Sequence, residues 1–404
     1  MSTSLLYHAF GLRGYRYVNS SFEGGQVTFR VRQSRDQLCC SICGDDTGWA
    51  QGTVLRTFRT VPIGSKPTLI QVAVPRLHCF VCQKVRQVKL SFAAPRKRYT
   101  RAFERYALDL SRRMTIKAVA EHLQVSWDTI KEIQATSLQR RFGKPKLEKL
   151  KQIAIDEIAV GKGHHYLTVV LDLISGAVVF VGDGKGVEAL EPFWKRLRRS
   201  RAKIQAVATD MGRPYIRAVR DNLPNAVHVF DHFHVIKLFN DKLSALRREL
   251  YHQAQTDSDR RVLKGTRWLL LKNPENLDPT RNEQQRLQDA LKLNTPLTIA
   301  YYLKEDLRQI WSQGNKRTAR QVIRDWVARA RASGIRMLDQ FADTLAEHED
   351  GIVAYYDFPI STGQLEGTNT KIQAMKRQAY GFRDRKFYKL KILGIHESQY
   401  ALVG

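Results

Sequence analysis

The sequence predicts a multidomain α+β protein: a small metal-binding module, a helical hairpin with a tight turn, and an α/β core joined to an all-helical segment. Three observations predict it. All five cysteines of the 404-residue chain lie between Cys39 and Cys82. Residues 100–140 repeat apolar side chains at helical spacing with one break. From residue 152 short β-branched runs alternate with helical stretches, and from about 235 to 350 the pattern is almost entirely helical.

Charge narrows the partner. Lys and Arg number 67 against 39 Asp and Glu, a formal net charge of +28. Both halves are basic, so a single tail does not explain it. Such a chain suits a polyanion, DNA or RNA by default, with a ribosomal or membrane surface as the bland alternative. No apolar run reaches the ~18 residues of a membrane-spanning helix, and no signal-peptide core opens the chain. The expectation is a cytoplasmic, nucleoid-associated protein.

Residues 1–30 alternate loosely around Tyr15, Tyr17, Phe22 and Phe29 and suggest a short hairpin. Cys40-x-x-Cys43 and Cys79-x-x-Cys82 follow as two C-x2-C pairs, with Gly44 placed for a tight turn. Two such pairs predict a tetrahedral structural Zn2+ site with four thiolate ligands. The long gap between the pairs requires an inserted hairpin. Cys39 is the spare cysteine and His78 a weaker substitute ligand.

Residues 115–123 read as a first helix, Val125-Ser126 as a turn, and Trp127 to Gln139 as a second helix capped by Ser126 with Asp128 in its first turn. Ile116, Val119, Leu123, Val125, Ile130 and Ile133 supply a core, and Ala120 permits a close crossing. As a helix-turn-helix, this unit places Trp127, Asp128, Thr129, Lys131 and Glu132 near the groove-facing end. Arg96, Lys97, Arg98, Arg112 and Arg113 are candidate phosphate contacts. An ordinary helical hairpin is the competing reading.

After a Gly- and Pro-containing linker at 141–146 come predicted strands at 152–158, 165–173 and 177–182, a helix at 187–199, a strand at 204–209, a helix near 213–222 and a strand at 226–231. Three strands, helix, strand, helix, strand is the core order of an RNase-H-like α/β fold. A final helical run begins near 362.

Acidic residues fall at telling places on this scaffold. Asp156 ends one apolar run, Asp210 ends another, and Glu366 opens the last helical run with Asn369 one turn on. Carboxylates on rigid strand ends, with a third from a helix, suit a pair of Mg2+ or Mn2+ ions and in-line phosphoryl displacement. Asp231 rivals Asp210, and with His234 forms Asp-x-x-His; both are possible accessory residues. Glu157 points to the opposite face from Asp156. Lys371, Lys376, Arg377 and Arg383 follow Glu366 and suit a grip on DNA. Trp268, Trp311 and Trp326 in the helical segment suit either core packing or stacking on an unpaired base.

In this order, the paired knuckles, helix-turn-helix, Ile-Asp-Glu strand, Thr-Asp-Met, Asp-x-Phe-His and Glu-Gly-x-Asn resemble the bacterial insertion-sequence transposases of the ISL-three family. So do the spacer Gly161-Lys162-Gly163-His164-His165-Tyr166 and Tyr380-Gly381-Phe382-Arg383. The resemblance spans Cys40 to about Phe387. It implies a DDE transposase with Asp156, Asp210 and Glu366 as the catalytic triad and the helical segment as an insertion between the second and third acids.

The expected domains are a zinc-binding module at 1–95, a helix-turn-helix at 96–147, a catalytic core at 148–236 with 352–404, and a helical insertion at 237–351. The expected activity is binding of terminal inverted repeats, cleavage of element ends and joining to target DNA, by a homodimer because two ends are cut together. A non-catalytic DNA-binding regulator and a structure-specific nuclease of the same fold are the alternatives.

Overall fold

In the N-terminal part a helix α1 (Leu5–Phe10) precedes an antiparallel hairpin of β1 (Tyr15–Glu23) and β2 (Gln26–Gln33). Two longer strands, β3 (Gly48–Ile63) and β4 (Lys66–Cys79), form a second antiparallel hairpin, and β5 (Lys84–Gln87) pairs with the end of β4. The sheet order is β1-β2-β4-β3, with β2 parallel to β4. Its buried face carries Val31, Phe58, Ile70, Val72 and Val74 and closes on Phe10 and Phe92. The computed structural model describes residues 5–34, 38–161, 163 and 165–396. Lys162 and His164 of the spacer, and residues 397–404 of the expected core, lie outside the described residues.

Three helices follow: α2 (Arg101–Leu110), α3 (Ile116–Leu123) and α4 (Trp127–Phe142). Each opens on a hydroxyl cap, Thr100, Thr115 or Ser126, whose oxygen accepts an otherwise unpaired amide of the first turn. Gln124 ends α3 in the left-handed conformation, and the Val125 amide bonds back to the Ala120 carbonyl, making the tight turn. The expected linker starts later than its composition suggested, because α4 continues to Phe142.

A second five-stranded sheet holds β6 (Gln152–Ala159), β7 (Tyr166–Asp172), β8 (Val178–Asp183), β9 (Ala206–Thr209) and β10 (Val227–Phe230). Its order is β10-β9-β6-β7-β8. β6, β7 and β8 are antiparallel neighbours, whereas β9 lies parallel to β6 and β10 parallel to β9. Helices α5 (Val187–Ser200) and α6 (Arg213–Asn222) make the two crossovers. Leu190, Phe193, Trp194 and Tyr215 from these helices pack on Ile153, Ile155 and Val207 of the sheet.

The helical segment comprises α7 (His232–Gln253), α8 (Asp257–Gly265), α9 (Arg267–Leu271), α10 (Glu283–Leu293), α11 (Thr295–Arg308), α12 (Lys316–Ala332), α13 (Arg336–Glu347) and α14 (Glu349–Val353). Its core joins Phe239, Leu243, Trp326 and Phe341. Trp326 is fully buried and donates its Nε1–H to the Leu303 carbonyl, so it is core; Trp311 is half-buried, and Trp268 is exposed under the Arg267 guanidinium. The chain ends with α15 (Gly363–Gln378) and α16 (Arg385–Leu393). Among the described residues no helix is long and apolar enough to cross a membrane.

The chain divides into two compact units, residues 1–144 with 374–404, and residues 145–373. This grouping differs from the sequence-based boundaries at the C-terminal end, where α16 belongs with the N-terminal helices. The physical reason is apolar: Phe387 is buried among Tyr99, Phe103, Ile116, Ile130 and Ile133. The N-terminal sheet and the helix-turn-helix also form one unit. Backbone bonds join Arg59 to Arg98 and Thr100, and the Arg59 guanidinium donates to the Leu123 carbonyl.

Candidate functional site

Cys40, Cys43, Cys79 and Cys82 come together although a hairpin separates the pairs. Their sulfurs all lie within 4.8 Å of one another, with Cys40–Cys82 at 3.9 Å and Cys43–Cys79 at 3.5 Å. Tetrahedral zinc with Zn–S near 2.3 Å requires S···S of about 3.8 Å, so the cluster fits that ion. The amides of Ile42 and Cys82 donate to the sulfurs of Cys40 and Cys79. Gly44 takes φ +77°, closing the first knuckle. Backbone amides of Ile42 and Cys43 draw the Cys40 thiol down to about 7, favouring thiolate. Cys39 is outside the group, and His78 instead packs edge-on against Trp49.

On the helix-turn-helix, Ile116, Val119, Leu123, Ile130 and Ile133 are buried, as their spacing predicts, while Val125 is half-buried. Trp127, Asp128 and Glu132 are exposed, and Thr129 shares a hydrogen bond with the Ser126 hydroxyl at 2.9 Å. Two candidate DNA-binding lysines are engaged within the protein. Lys97 pairs with Glu132, and Lys131 pairs with Asp384 at 2.9 Å between the rings of Trp127 and Phe387. Arg112 pairs with Asp109, and Arg113 is exposed. Lys371 and Arg377 are exposed on α15.

In the second unit, Asp156 lies on β6, the central strand, between β9 and β7. Its Oδ1 accepts the Glu157 amide at 2.7 Å and its Oδ2 accepts the Asn369 side-chain amide at 2.8 Å. Burial, with the nearby charge of Asp210 contributing, raises the Asp156 carboxyl to about 6, while His234 opposes the rise. Glu157 faces the other way, as strand alternation requires, and accepts the Tyr215 hydroxyl at 2.5 Å.

Asp210 follows β9 and accepts the Gly212 amide at 2.9 Å. A Cβ at Gly212 would stand 2.9 Å from the same oxygen, so a larger residue there would push the Asp210 carboxylate from its present position.

Asp231 is fully buried at the start of α7. Its Oδ1 accepts the Thr362 amide at 3.1 Å and its Oδ2 pairs with His234 Nδ1 at 3.0 Å. Burial alone would raise this carboxyl, but the bonds from His234 and Thr362 outweigh it and hold the group below its usual range. The same bond from Asp231, set against burial and reinforced by Asp156 and Asp210, raises His234.

Glu366 is exposed in the first turn of α15. Asn369, three residues on and therefore on a neighbouring part of the helix surface, makes the bond to Asp156. The structure thus brings Asp156 and Asp210 into electrostatic range of each other and of His234, which bonds Asp231, and places Glu366 one turn from a direct Asp156 contact. Among the described residues these acids do not form a group of three with ligand atoms within 4.8 Å; the cysteines do. Sequence reasoning did not assign a role to Thr362, whose amide holds Asp231, or a contact to Gln373, whose side chain donates to the Ala159 carbonyl. Nothing in local spacing signals either.

The chain is similar to several known proteins. Residues 153–392 match a family described as transposase, and residues 88–136 match the helix-turn-helix domain of transposase family ISL3. The chain is 32% identical over 372 residues to the transposase for insertion sequence element IS1001 of Bordetella parapertussis, covering 91% of each. It is 29% identical over 389 residues to the transposase for element IS1557 of Mycobacterium tuberculosis, covering 89% of this chain and 86% of that one. A solved Drosophila P element transposase strand transfer complex aligns at TM-score 0.37 and 11% identity, over 74% of this chain and 92% of that chain. The full-length similarity and both domain matches agree: the chain belongs to the ISL3 family of transposases.

Proposed function

We propose that the protein binds the terminal inverted repeats of its element, hydrolyses a phosphodiester at each end and joins the freed 3′-hydroxyl to target DNA. The core is read as RNase-H-like, a reading supported by the order β10-β9-β6-β7-β8 with only β9 and β10 parallel to β6. Asp156, Asp210 and Glu366 are assigned as the catalytic carboxylates. The observation that carries the assignment is the Asn369–Asp156 bond, which fastens the helix of Glu366 to the strand of Asp156 beside Asp210.

The donors fit a hard divalent cation, being carboxylate oxygens; burial, with a smaller contribution from the Asp210 charge, raises Asp156, and a bound cation would offset both. Mg2+ or Mn2+ held there would activate the attacking oxygen and stabilise the leaving one. Asp156 supplies fixed negative charge from within β6 and Asp210 from the end of β9. Asn369 orients Asp156 by holding one of its oxygens. Asp231 acts as a positioning residue: both its oxygens are engaged, so it locks His234 and the start of α15. That engagement favours Asp210 over Asp231 as the second ligand.

End recognition is assigned to α4 through Trp127 and Thr129, with Arg112 and Arg113 meeting phosphates. Lys97 and Lys131 would contact DNA only by exchanging their present partners. Lys371 and Arg377 on α15 are placed at the DNA being cut. Zn2+ in the four-cysteine cluster would hold the two knuckles together. Cutting two ends together calls for a homodimer, and the DNA substrate for a nucleoid location.

Paired end-sequence duplexes with Mg2+ test the reading. Asp156→Asn, Asp210→Asn and Glu366→Gln each abolish cleavage and joining while end binding persists. Wild-type cleavage by Glu366→Gln would remove that residue from the site. Cleavage without joining by the wild type would favour a nuclease, and end binding without cleavage a regulator.

A further inference from the structure

The exposed surface of the first two turns of the recognition helix is poor in available positive charge. Asp128 and Glu132 are exposed there, Lys97 is paired with Glu132, and Lys131 with Asp384. Phosphate contacts dominate affinity in DNA binding, so cations must come from flanking elements. Besides Arg112 and Arg113, one such flank is the C-terminal segment, which packs on α4. Asp384 caps α16, accepting the Phe387 amide at 3.0 Å, and its other oxygen holds Lys131 in the first half of α4. Below that pair Phe387 enters the helix-turn-helix core. Further along, Lys391 reaches Gln134, and Gly394 packs so closely on Phe142 that an added Cβ would meet its ring at 2.9 Å. These contacts, spread over three turns of α4, fix the segment's register against the recognition helix. Arg383 and Lys386 flank Asp384 and are exposed.

We propose that the C-terminal segment from Phe382 to Ile395 is an integral part of the end-recognition unit, and that Arg383 and Lys386 grip the phosphate backbone of the DNA end that α4 reads. The inference rests on the reading that α4 binds the element end. It assigns to DNA recognition a segment lying more than 240 residues beyond the matched helix-turn-helix domain at 88–136.

The test uses the full chain, an end duplex and a random duplex of equal length, and a salt titration without divalent metal. Arg383→Ala with Lys386→Ala should lower the slope of log affinity against log salt by about 2, roughly 0.9 for each lost phosphate contact, on both duplexes. Zinc content and melting temperature should match wild type, showing the fold intact. In a second measurement, bound end duplex should protect Lys386 from acetylation, read by mass spectrometry. An unchanged slope, or equal acetylation with and without DNA, overturns the proposal. So does normal end binding with loss only of joining when the same variant is assayed separately with Mg2+, which would give the surface to target DNA. If the wild type shows no preference for the end duplex, the helix-turn-helix reading fails instead, and that outcome is distinguishable from a preference that survives both substitutions with its slope intact.

Discussion

The side-chain amide of Asn369 donates to Asp156 at 2.8 Å across 213 positions of sequence. This bond fixes where α15 stands against the central strand, and with it the approach of Glu366. Removing it leaves a carboxylate without its orienting partner. Hydrogen bonds to charged groups contribute roughly 1.5–3 kcal/mol. Asn369→Ala is therefore expected to slow cleavage by about 10- to 100-fold at saturating Mg2+, with end binding unchanged. Single-turnover cleavage rates decide it, and an unaltered rate would show that Asp156 needs no help from α15.

Asp210→Asn and Asp231→Asn should separate a ligand from a positioning residue. Asp231 has no exposure and both oxygens are bonded, so the substitution breaks a buried charged network, at a cost of about 3–5 kcal/mol. Its melting temperature should fall markedly. Asp210→Asn should abolish cleavage while melting close to wild type. The reverse pattern would exchange the two roles.

Elemental analysis is expected to find about one zinc per chain. Cys40→Ser or Cys79→Ser should lose it, since both sulfurs belong to the cluster, while Cys39→Ser retains it. A strong chelator should unfold the sheet of β3 and β4, because structural zinc contributes apparent binding energies of about 10–16 kcal/mol to folding. Retention of zinc by Cys79→Ser would reassign the ligands.

Lys391 offers a pH test of the C-terminal packing. Burial beside α4 pulls its ammonium down from 10.5 to about 8. Between those values the unfolded chain binds more protons than the folded one, so this group's contribution to stability rises with pH and its penalty is full below about 8. Lys391→Met should be more stable than wild type at pH 7, by on the order of 1–3 kcal/mol, and the gap should close as pH approaches 10.5. Denaturant melts across that range measure it; a gap independent of pH would show that Lys391 is not buried against α4.

Much of this molecule is written locally. The strands of the second sheet fall within two residues of their expected ends, because β-branched runs and turn residues act over a few positions. The helix-turn-helix is equally plain, since Thr115 and Ser126 are caps whose effect spans one turn. The cysteine pairs were legible as a group because C-x2-C is a local geometry. Asp156 stood out because a carboxylate beside apolar neighbours at a strand end has few structural uses.

What local patterns leave open is which surfaces meet. The sequence predicts a helical run from about 362, but nothing nearby says that Phe387 closes the helix-turn-helix core. Asp210 and Asp231 are alike in sequence as carboxylates at strand ends; only the fold gives the buried Asp231 two partners, one of them 131 positions away. Local pattern makes Lys97 a phosphate contact and sets Lys131 at the groove-facing end of α4; only the fold puts Glu132 and Asp384 beside them. The sequence by itself determined the elements, the metal-binding cysteines and the acids worth suspecting, because capping, periodicity and spacing act within a turn or a strand. Tertiary structure alone decided which groups pair, because burial and charge pairing depend on distances the chain sets only when remote segments pack.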